Sequence, residues 1–298
     1  IFPDGRLMIH PTPTITVPVD LTNPGQFFAC CGLLELASRM DAQTEAWFAD
    51  RQFKLAATVL LRDVVEGLRQ TTVENTMTPV QKARLGELSA MTKRERESID
   101  GAEEEKKSLE SLRREEPIVL AGGISLLIDW FTDEFAGGAR FETWAGQQSV
   151  LDIARAMHDG LSEAHVEDES SLWNSARHIG LPFFFDSNLG AQGSALDIGF
   201  SFDPLDGSET TRITGLRRPA LELLAFVGLQ RFRPREIARN RFVYVAWSSP
   251  LSVSVAAGAA CQALSFRDAP VYEFRLLYRT KYLKSFLPAI PFQGDPDE

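Results

Sequence analysis

Residues 23–37, NPGQFFACCGLLELA, combine a helix-starting signal with apolar residues at helical spacing. Asn23 is a favoured N-cap residue, and Pro24 suits the first helical turn because its missing N–H is a donor that a helix start leaves unpaired anyway. Four apolar residues then fall on one helix face: Phe27, Cys30, Cys31 and Leu34. The stretch predicts a buried helix over residues 24–40.

The two adjacent cysteines of this helix raise the question of reactivity. The chain has three cysteines, Cys30, Cys31 and Cys261, and no C-x-x-C spacing, so the sequence predicts neither a disulfide framework nor a zinc site. The pair lies about two turns into the helix, where the dipole no longer lowers a thiol pKa. Because free cysteine packs as a small hydrophobe, we interpret Cys30 and Cys31 as core residues.

The composition is that of a globular protein. The 298 residues are 44% hydrophobic and 24% charged, which is enough apolar content for one large core or two modest ones. No apolar run reaches the roughly 18 residues that span a bilayer, and the first residues lack the pattern of a signal peptide. We therefore expect a cytoplasmic protein without membrane contact, with residues 1–7 outside the fold and Met8 as the natural start.

The remaining pattern mixes helices and strands without a regular alternation, which predicts an α+β protein with mixed sheets, packed helices and a charged helical insertion. The predicted parts are an N-terminal α+β part (8–78), the insertion (79–116), a central α+β part (117–209) and a basic C-terminal α+β part (210–298). The predicted strands, in order, are 14–20, one or two within 45–57, a hairpin over 117–131, then 181–186, 194–202, 241–247 and 272–283. The predicted helices outside the insertion are 24–40, one capped by Thr58 and ending near 69, 147–161, 219–230 and one within 250–264, where a strand is the alternative.

Residues 79–116 differ abruptly from their surroundings. They contain 9 Lys+Arg and 10 Asp+Glu among 38 residues, with few apolar positions. Asp100 and Gly101 supply a turn, so the segment predicts a solvated helical hairpin. A docking arm for a partner protein is the alternative.

The positive charge is concentrated near the C-terminus. Residues 210–285 contain 13 Lys+Arg and 4 Asp+Glu, a local charge of +9, which leaves −19 for the rest of a chain whose total is −10. Such asymmetry favours a surface that faces a polyanion. We therefore predict phosphate contacts along a basic track. Its residues precede the helix at 219–230, follow it, or lie on the predicted strand at 272–283: Arg217, Arg218, Arg231, Arg233, Arg235, Arg275, Arg279 and Lys281.

These cations also suit two purely structural roles. Cations after a helix C-terminus are favoured by the helix dipole, and basic side chains on a strand protect a sheet edge from aggregation. A stabilising role and a solubility role are therefore the alternatives to phosphate contact for these side chains.

The loop DSNLGAQGS contains a separate pair of candidates for nucleic-acid contact. The side-chain amides of Asn188 and Gln192 can read adenine edges, and the neighbouring glycines permit a close approach. Ordinary turn chemistry is the alternative for both residues.

No catalytic motif is visible in the sequence. The four histidines show no metal-binding spacing, and no Walker lysine or dinucleotide fingerprint is present. Four aspartates could chelate magnesium in a nuclease: Asp186, Asp197, Asp203 and Asp206. Because two of these belong to an ordinary turn sequence, DPLDG, we expect a protein that is not an enzyme and carries no cofactor or metal.

Four stretches together resemble a CRISPR-associated family of the type I-G (formerly I-U) subtype, proposed as a large-subunit-like component of the Cascade effector. They are VPVDLTNPGQFFACCGLLELASRM (17–40), FETWAGQQSVLDIA (141–154), LPFFFDSNLGAQGSALDIGFS (181–201) and LELLAFVGLQRFRPR (221–235). The resemblance covers most of the chain except residues 79–116. It implies a non-catalytic subunit that assembles with guide RNA and the other Cascade subunits and contacts target DNA or its flanking motif. A metal-dependent nuclease and a protein-only scaffold are the alternatives.

Overall fold

The computed structural model describes residues 10–135, 137–144, 148–163, 171–179, 183–187, 215–264, 266, 269–279 and 283–293. Within these ranges the α-helices are α1 (Pro24–Met40), α2 (Leu61–Arg69), α3 (Pro79–Ala90), α4 (Lys93–Glu97), α5 (Ala102–Glu115), α6 (Val150–Glu163), α7 (Ser171–Asn174), α8 (Pro219–Gly228) and α9 (Val253–Ala260). Two short 3-10 helices are Trp130–Thr132 and Gly138–Phe141. The predicted strand at 194–202 lies outside the described residues.

The strands form antiparallel sheets, and the α+β class is confirmed. In chain order they are β1 (Ile15–Pro18), β2 (Glu45–Ala49), β3 (Gln52–Ala56), β4 (Thr72–Asn75), β5 (Ile118–Ala121), β6 (Leu126–Ile128), β7 (Arg177–Ile179), β8 (Gly215–Arg217), β9 (Arg235–Ala238), β10 (Arg241–Val245), β11 (Leu251–Ser252), β12 (Val271–Arg279), β13 (Leu283–Phe286) and β14 (Ile290–Pro291). The sheet orders are β1-β3-β2-β11, β13-β12-β10-β9 with β14 on β12, β4-β5-β6, and β7-β8.

Helices α1 and α8 cross at the centre of the molecule. The predicted helix over 24–40 is confirmed, and the Asn23 side chain accepts a hydrogen bond from the Gln26 N–H as its N-cap. Both helices are buried on almost every side, as expected for segments with little polar surface. Their backbones touch, because a Cβ at Gly32 would lie 1.9 Å from the Leu224 carbonyl oxygen. Glycine at this crossing therefore sets the separation of the two helices.

One hydrophobic core runs from Ile15 to Ala289 and joins the predicted parts of the chain. Strand β11, from the C-terminal part, pairs with β2 of the N-terminal part. Cys30 and Cys31 lie within this core with no exposed area, and burial raises the pKa of both thiols well above the usual range. The interpretation of these cysteines as core residues is confirmed.

Three predicted boundaries were wrong. Helix α2 starts at Leu61 rather than at a Thr58 cap, because the Thr58 hydroxyl and N–H both donate to the Asp41 carboxylate. Residues 183–186 do not form the predicted strand, since Phe184 has a φ of 63°. The predicted strand over 272–283 is divided into β12 and β13, which pair with each other.

The insertion forms the predicted helical hairpin with one additional short helix, α4. Helices α3 and α5 enclose a small core of their own, made by Met77, Leu88, Ala102 and Leu109. Arg84 on α3 binds Glu105 on α5 at 2.8 Å. Ion pairs also join the insertion to the main part of the chain: Arg113 with Asp152, and Lys82 with Glu74. The insertion is therefore a small satellite with its own core and polar attachments to the rest.

Replacing residues 77–116 with a four-residue Gly/Asn linker should leave the main core folded. Asn75 and Ile118 face each other at the ends of β4 and β5, so a short turn can join these strands. The loss of a partly exposed ion pair such as Arg113–Asp152 costs about 1 kcal/mol or less. Urea unfolding should stay cooperative with a nearly unchanged midpoint. Loss of the cooperative transition would show that the insertion supports the main core.

Candidate nucleic-acid interface

The two arginines before α8 lie in a largely buried setting. The Arg217 side chain is 2% exposed, and its guanidinium carbon is 5.2 Å from the centre of the Phe184 ring. Burial lowers the pKa of Arg217, although the carboxylates of Glu222 and Asp186 oppose this effect. Arg218 forms an ion pair with Asp186 at 3.1 Å. Neither arginine presents an open guanidinium to a large ligand in this conformation.

Asp186 and Glu222 belong to a buried polar cluster at the start of α1 and α8. The Asn23 side-chain amide donates to Asp186 at 2.7 Å, and Glu222 accepts hydrogen bonds from the Phe185 and Asp186 N–H groups, each at 3.2 Å. Burial, and next the charge of Asp186, raise the pKa of Glu222 to about 7. The cluster fixes residues 185–187 against two helix starts.

This arrangement bears on the nuclease alternative. The two carboxylate oxygens of Asp186 are occupied by Asn23 and Arg218, so the group is not open to a metal ion in this conformation. Asp197, Asp203 and Asp206 lie outside the described residues. Within the described ranges, no group of three or more His, Cys, Asp or Glu side chains could hold a metal.

The arginines after α8 are held by acceptors from distant parts of the chain. Arg231 binds the buried carboxylate of Glu35 at 2.5 Å, and Arg233 binds Asp133 at 2.9 Å. Arg235 donates to the Gln262 side-chain oxygen at 2.8 Å. These cations therefore tie the end of α8 to neighbouring segments.

The pKa of Glu35 shows that the arginines stabilise its buried carboxylate. Burial by itself would raise the pKa of Glu35, but hydrogen bonds from Arg231, and then from Arg39, hold it below its ordinary value. Sequence reasoning missed these acceptors because Arg231 and Glu35 are 196 residues apart. No local signal connects residues at that separation.

A second group of cations lies on the sheet of order β13-β12-β10-β9. Arg241 on β10 and Arg275 on β12 lie directly opposite each other across the two strands. Glu273 binds both, at 2.6 Å from Arg241 and 3.3 Å from Arg275. One carboxylate therefore serves two guanidiniums, and the Arg275 side chain remains 59% exposed.

The residue pattern of the predicted strand over 272–283 places Phe274 and Leu276 on one face and Arg275 on the other. This alternation is confirmed over residues 274–276, but Glu273, on the face of Arg275, is buried and Tyr272 is only partly buried. Phe274 and Leu276 are buried, and Arg275 between them is exposed. Arg279 is the last residue of this strand, and its side chain is not described. Asn188, Gln192 and Lys281 lie outside the described residues.

Arg239 extends this basic face at the connection between β9 and β10. It is exposed, and no described residue forms an ion pair or hydrogen bond with its side chain. The following residue, Asn240, has a φ of 62°, as turn asparagines often do. We refer to Arg239, Arg241 and Arg275 as the sheet-face arginines. Arg239 and Arg241 were not among the residues for which the sequence predicted phosphate contacts, although both lie within the basic segment 210–285.

Exposed guanidinium groups suit phosphate oxygens, which they bind with two parallel hydrogen bonds. No protein-family model matches this chain, and no curated protein matches it significantly. Among the described residues, no helix combines the length and apolarity that a membrane crossing requires.

Proposed function

We propose that this chain is a non-catalytic subunit of a type I-G CRISPR RNA-guided effector, Cascade. In this role it assembles in the cytoplasm with guide RNA and the other subunits and holds target DNA or its flanking motif. The observation that supports the nucleic-acid contact is a group of accessible cations on one sheet: Arg275 shares the Glu273 carboxylate with Arg241, and exposed Arg239 lies in the adjacent β9–β10 turn. In such effectors base pairing reads the sequence, so the protein needs chiefly backbone contacts.

The sheet-face arginines suit this contact better than the arginines at the ends of α8. A phosphate that displaced Glu35 from Arg231 would leave Glu35 dependent on Arg39 alone, although its side chain is only 1% exposed. Removing one partner from a buried carboxylate that keeps another costs about 1–3 kcal/mol. Arg239 gives up no ion pair when it binds a phosphate, because no described residue forms one with it.

The acidity of the rest of the chain supports a subunit with separate protein and nucleic-acid surfaces. Outside residues 210–285 the charge is −19, which repels a polyanion. Nucleic acid is therefore restricted to the basic C-terminal part. The acidic remainder faces protein partners and solvent.

Changing Arg239 and Arg275 to glutamine should weaken nucleic-acid binding about equally for all sequences. Each lost phosphate contact should reduce the slope of log K against log salt by about 0.7–0.9. The measurement is a salt titration of binding to guide RNA and to target DNA, in the assembled complex. Folding should be unaffected because Arg275 shares its carboxylate with Arg241 and Arg239 is exposed.

The matched control is the double change Arg62→Gln and Arg94→Gln. These residues are exposed on other elements, so the variant removes the same charge away from the sheet face. It should keep the wild-type salt slope. An equal slope in wild type and in the Arg239/Arg275 variant would instead favour the protein-only scaffold.

A further inference from the structure

Two backbone hydrogen bonds hold together the ends of a tight turn that follows the first 3-10 helix. The Gly137 N–H donates to the Glu134 carbonyl at 3.1 Å, and the Gly138 N–H donates to the Asp133 carbonyl at 2.7 Å. A Cβ at Gly138 would lie 1.6 Å from the Trp130 carbonyl oxygen, so the backbones are in direct contact there. The ion pair of Asp133 with Arg233 adds a further attachment.

Phe135 stands on this turn with its whole side chain in solvent. It is the most exposed large hydrophobic residue in the described part of the chain. Single exposed apolar residues are common, but a phenylalanine held out by a fixed turn loses little freedom when it is bound. Such aromatic anchors contribute strongly to protein interfaces.

A concavity of about 350 Å³ is lined by the same turn. Phe131 and Trp144 are aromatic residues of its lining, and three carboxylate residues, Glu115, Glu134 and Glu142, also line it. Arg114 is the one cation among the described lining residues. Phe131 and Trp144 are almost fully buried, at 4% and 7% exposed, so the carboxylates rather than the rings would meet a ligand. Carboxylates suit a lysine or arginine side chain, with which they form charge-assisted hydrogen bonds.

We propose that Phe135 and this concavity form a docking surface for a basic segment of another protein subunit of the effector. Phe135 enters an apolar pocket of that subunit, and a lysine or arginine of the subunit enters the concavity. The identity of the partner as an effector subunit rests on the proposed function. The excess of carboxylates disfavours a nucleic acid here, and a second copy of this chain would bring the same acidic lining against itself.

The test is a titration of effector assembled without this chain, with the purified wild type or a variant added back. Phe135→Ala should weaken binding at least about tenfold, as expected for an aromatic anchor. Glu134→Lys should also weaken binding, and more at low salt than at high salt. Val80→Ala, which shortens a largely exposed apolar side chain on the insertion, should bind like wild type.

The outcomes separate the docking surface from the proposed function. If wild type binds and Phe135→Ala binds equally well, the docking surface is wrong while the function stands. If wild type does not bind the effector at all, both the proposed function and the proposed partner are wrong. Self-association of the free chain that disappears in Phe135→Ala would assign the surface to a second copy and overturn the proposal.

Discussion

Changing Gly32 to alanine is expected to destroy the native packing of the whole chain. The added Cβ would lie 1.9 Å from the Leu224 carbonyl oxygen and 3.1 Å from the Gly228 nitrogen. Both are backbone atoms of the facing helix, so no side-chain rotation relieves the overlap, and α1 and α8 must separate along the core. We expect the free energy of unfolding to fall by at least about 4 kcal/mol, a large part of the stability of a typical domain.

The matched control for this change is Gly86→Ala. Gly86 also lies inside a helix, α3, but a Cβ there would meet no atom within 4 Å. Alanine at an open helical position stabilises by about 0.5–1 kcal/mol, so this variant should be as stable as wild type or slightly more stable. Urea unfolding followed by tryptophan fluorescence measures both. A wild-type midpoint for Gly32→Ala would show that the two helices are not in backbone contact.

The second large effect is a pH dependence of stability that comes from Glu222. Burial and the charge of Asp186 raise its pKa in the folded chain to about 7, whereas the unfolded chain keeps the ordinary value of 4.5. Between pH 4.5 and about 7 the folded state therefore binds more protons, and the free energy of unfolding falls as the pH rises. A pKa difference between 4.5 and about 7 corresponds to a fall of about 3 kcal/mol in the free energy of unfolding.

Glu222→Gln tests this assignment. The amide does not titrate, so the fall in stability between pH 5 and 7 should disappear, although the loss of one backbone hydrogen bond lowers stability at every pH. Carboxylates with lowered pKa values, such as Glu35, lose their contribution only as the pH falls below this window. The control Glu134→Gln, at an exposed position, should show the same dependence of stability on pH as wild type. Equal slopes in wild type and Glu222→Gln would assign the titration to another group.

The parts of the fold that follow from local chemistry could be predicted from the sequence. The start of α1 could be predicted because Asn23 and Pro24 act on their immediate neighbours. The turn of the insertion could be predicted because Gly101 adopts a positive φ, which glycine allows at little cost. The alternation around Arg275 followed from the two-residue period of a strand.

Features that depend on distant residues could not be predicted in this way. The run LPFFFD resembles a strand, but the Phe185 and Asp186 N–H groups donate to the buried carboxylate of Glu222 instead of to a neighbouring strand. The sequence likewise shows Arg231 and Arg233 as surface cations, because their partners lie 100 or more residues away. Long-range ion pairs decide which cations remain available to a ligand.

The most direct test of the central claim is purification through a tag on this chain, from cells that also express the other effector subunits and a guide RNA. Size-exclusion chromatography with protein and RNA analysis should show the chain in a defined complex that contains the guide RNA. That complex should bind matching DNA without cutting it when this chain is the only candidate nuclease present. A chain that elutes alone and free of RNA, or one that cleaves DNA with magnesium, would contradict the assignment.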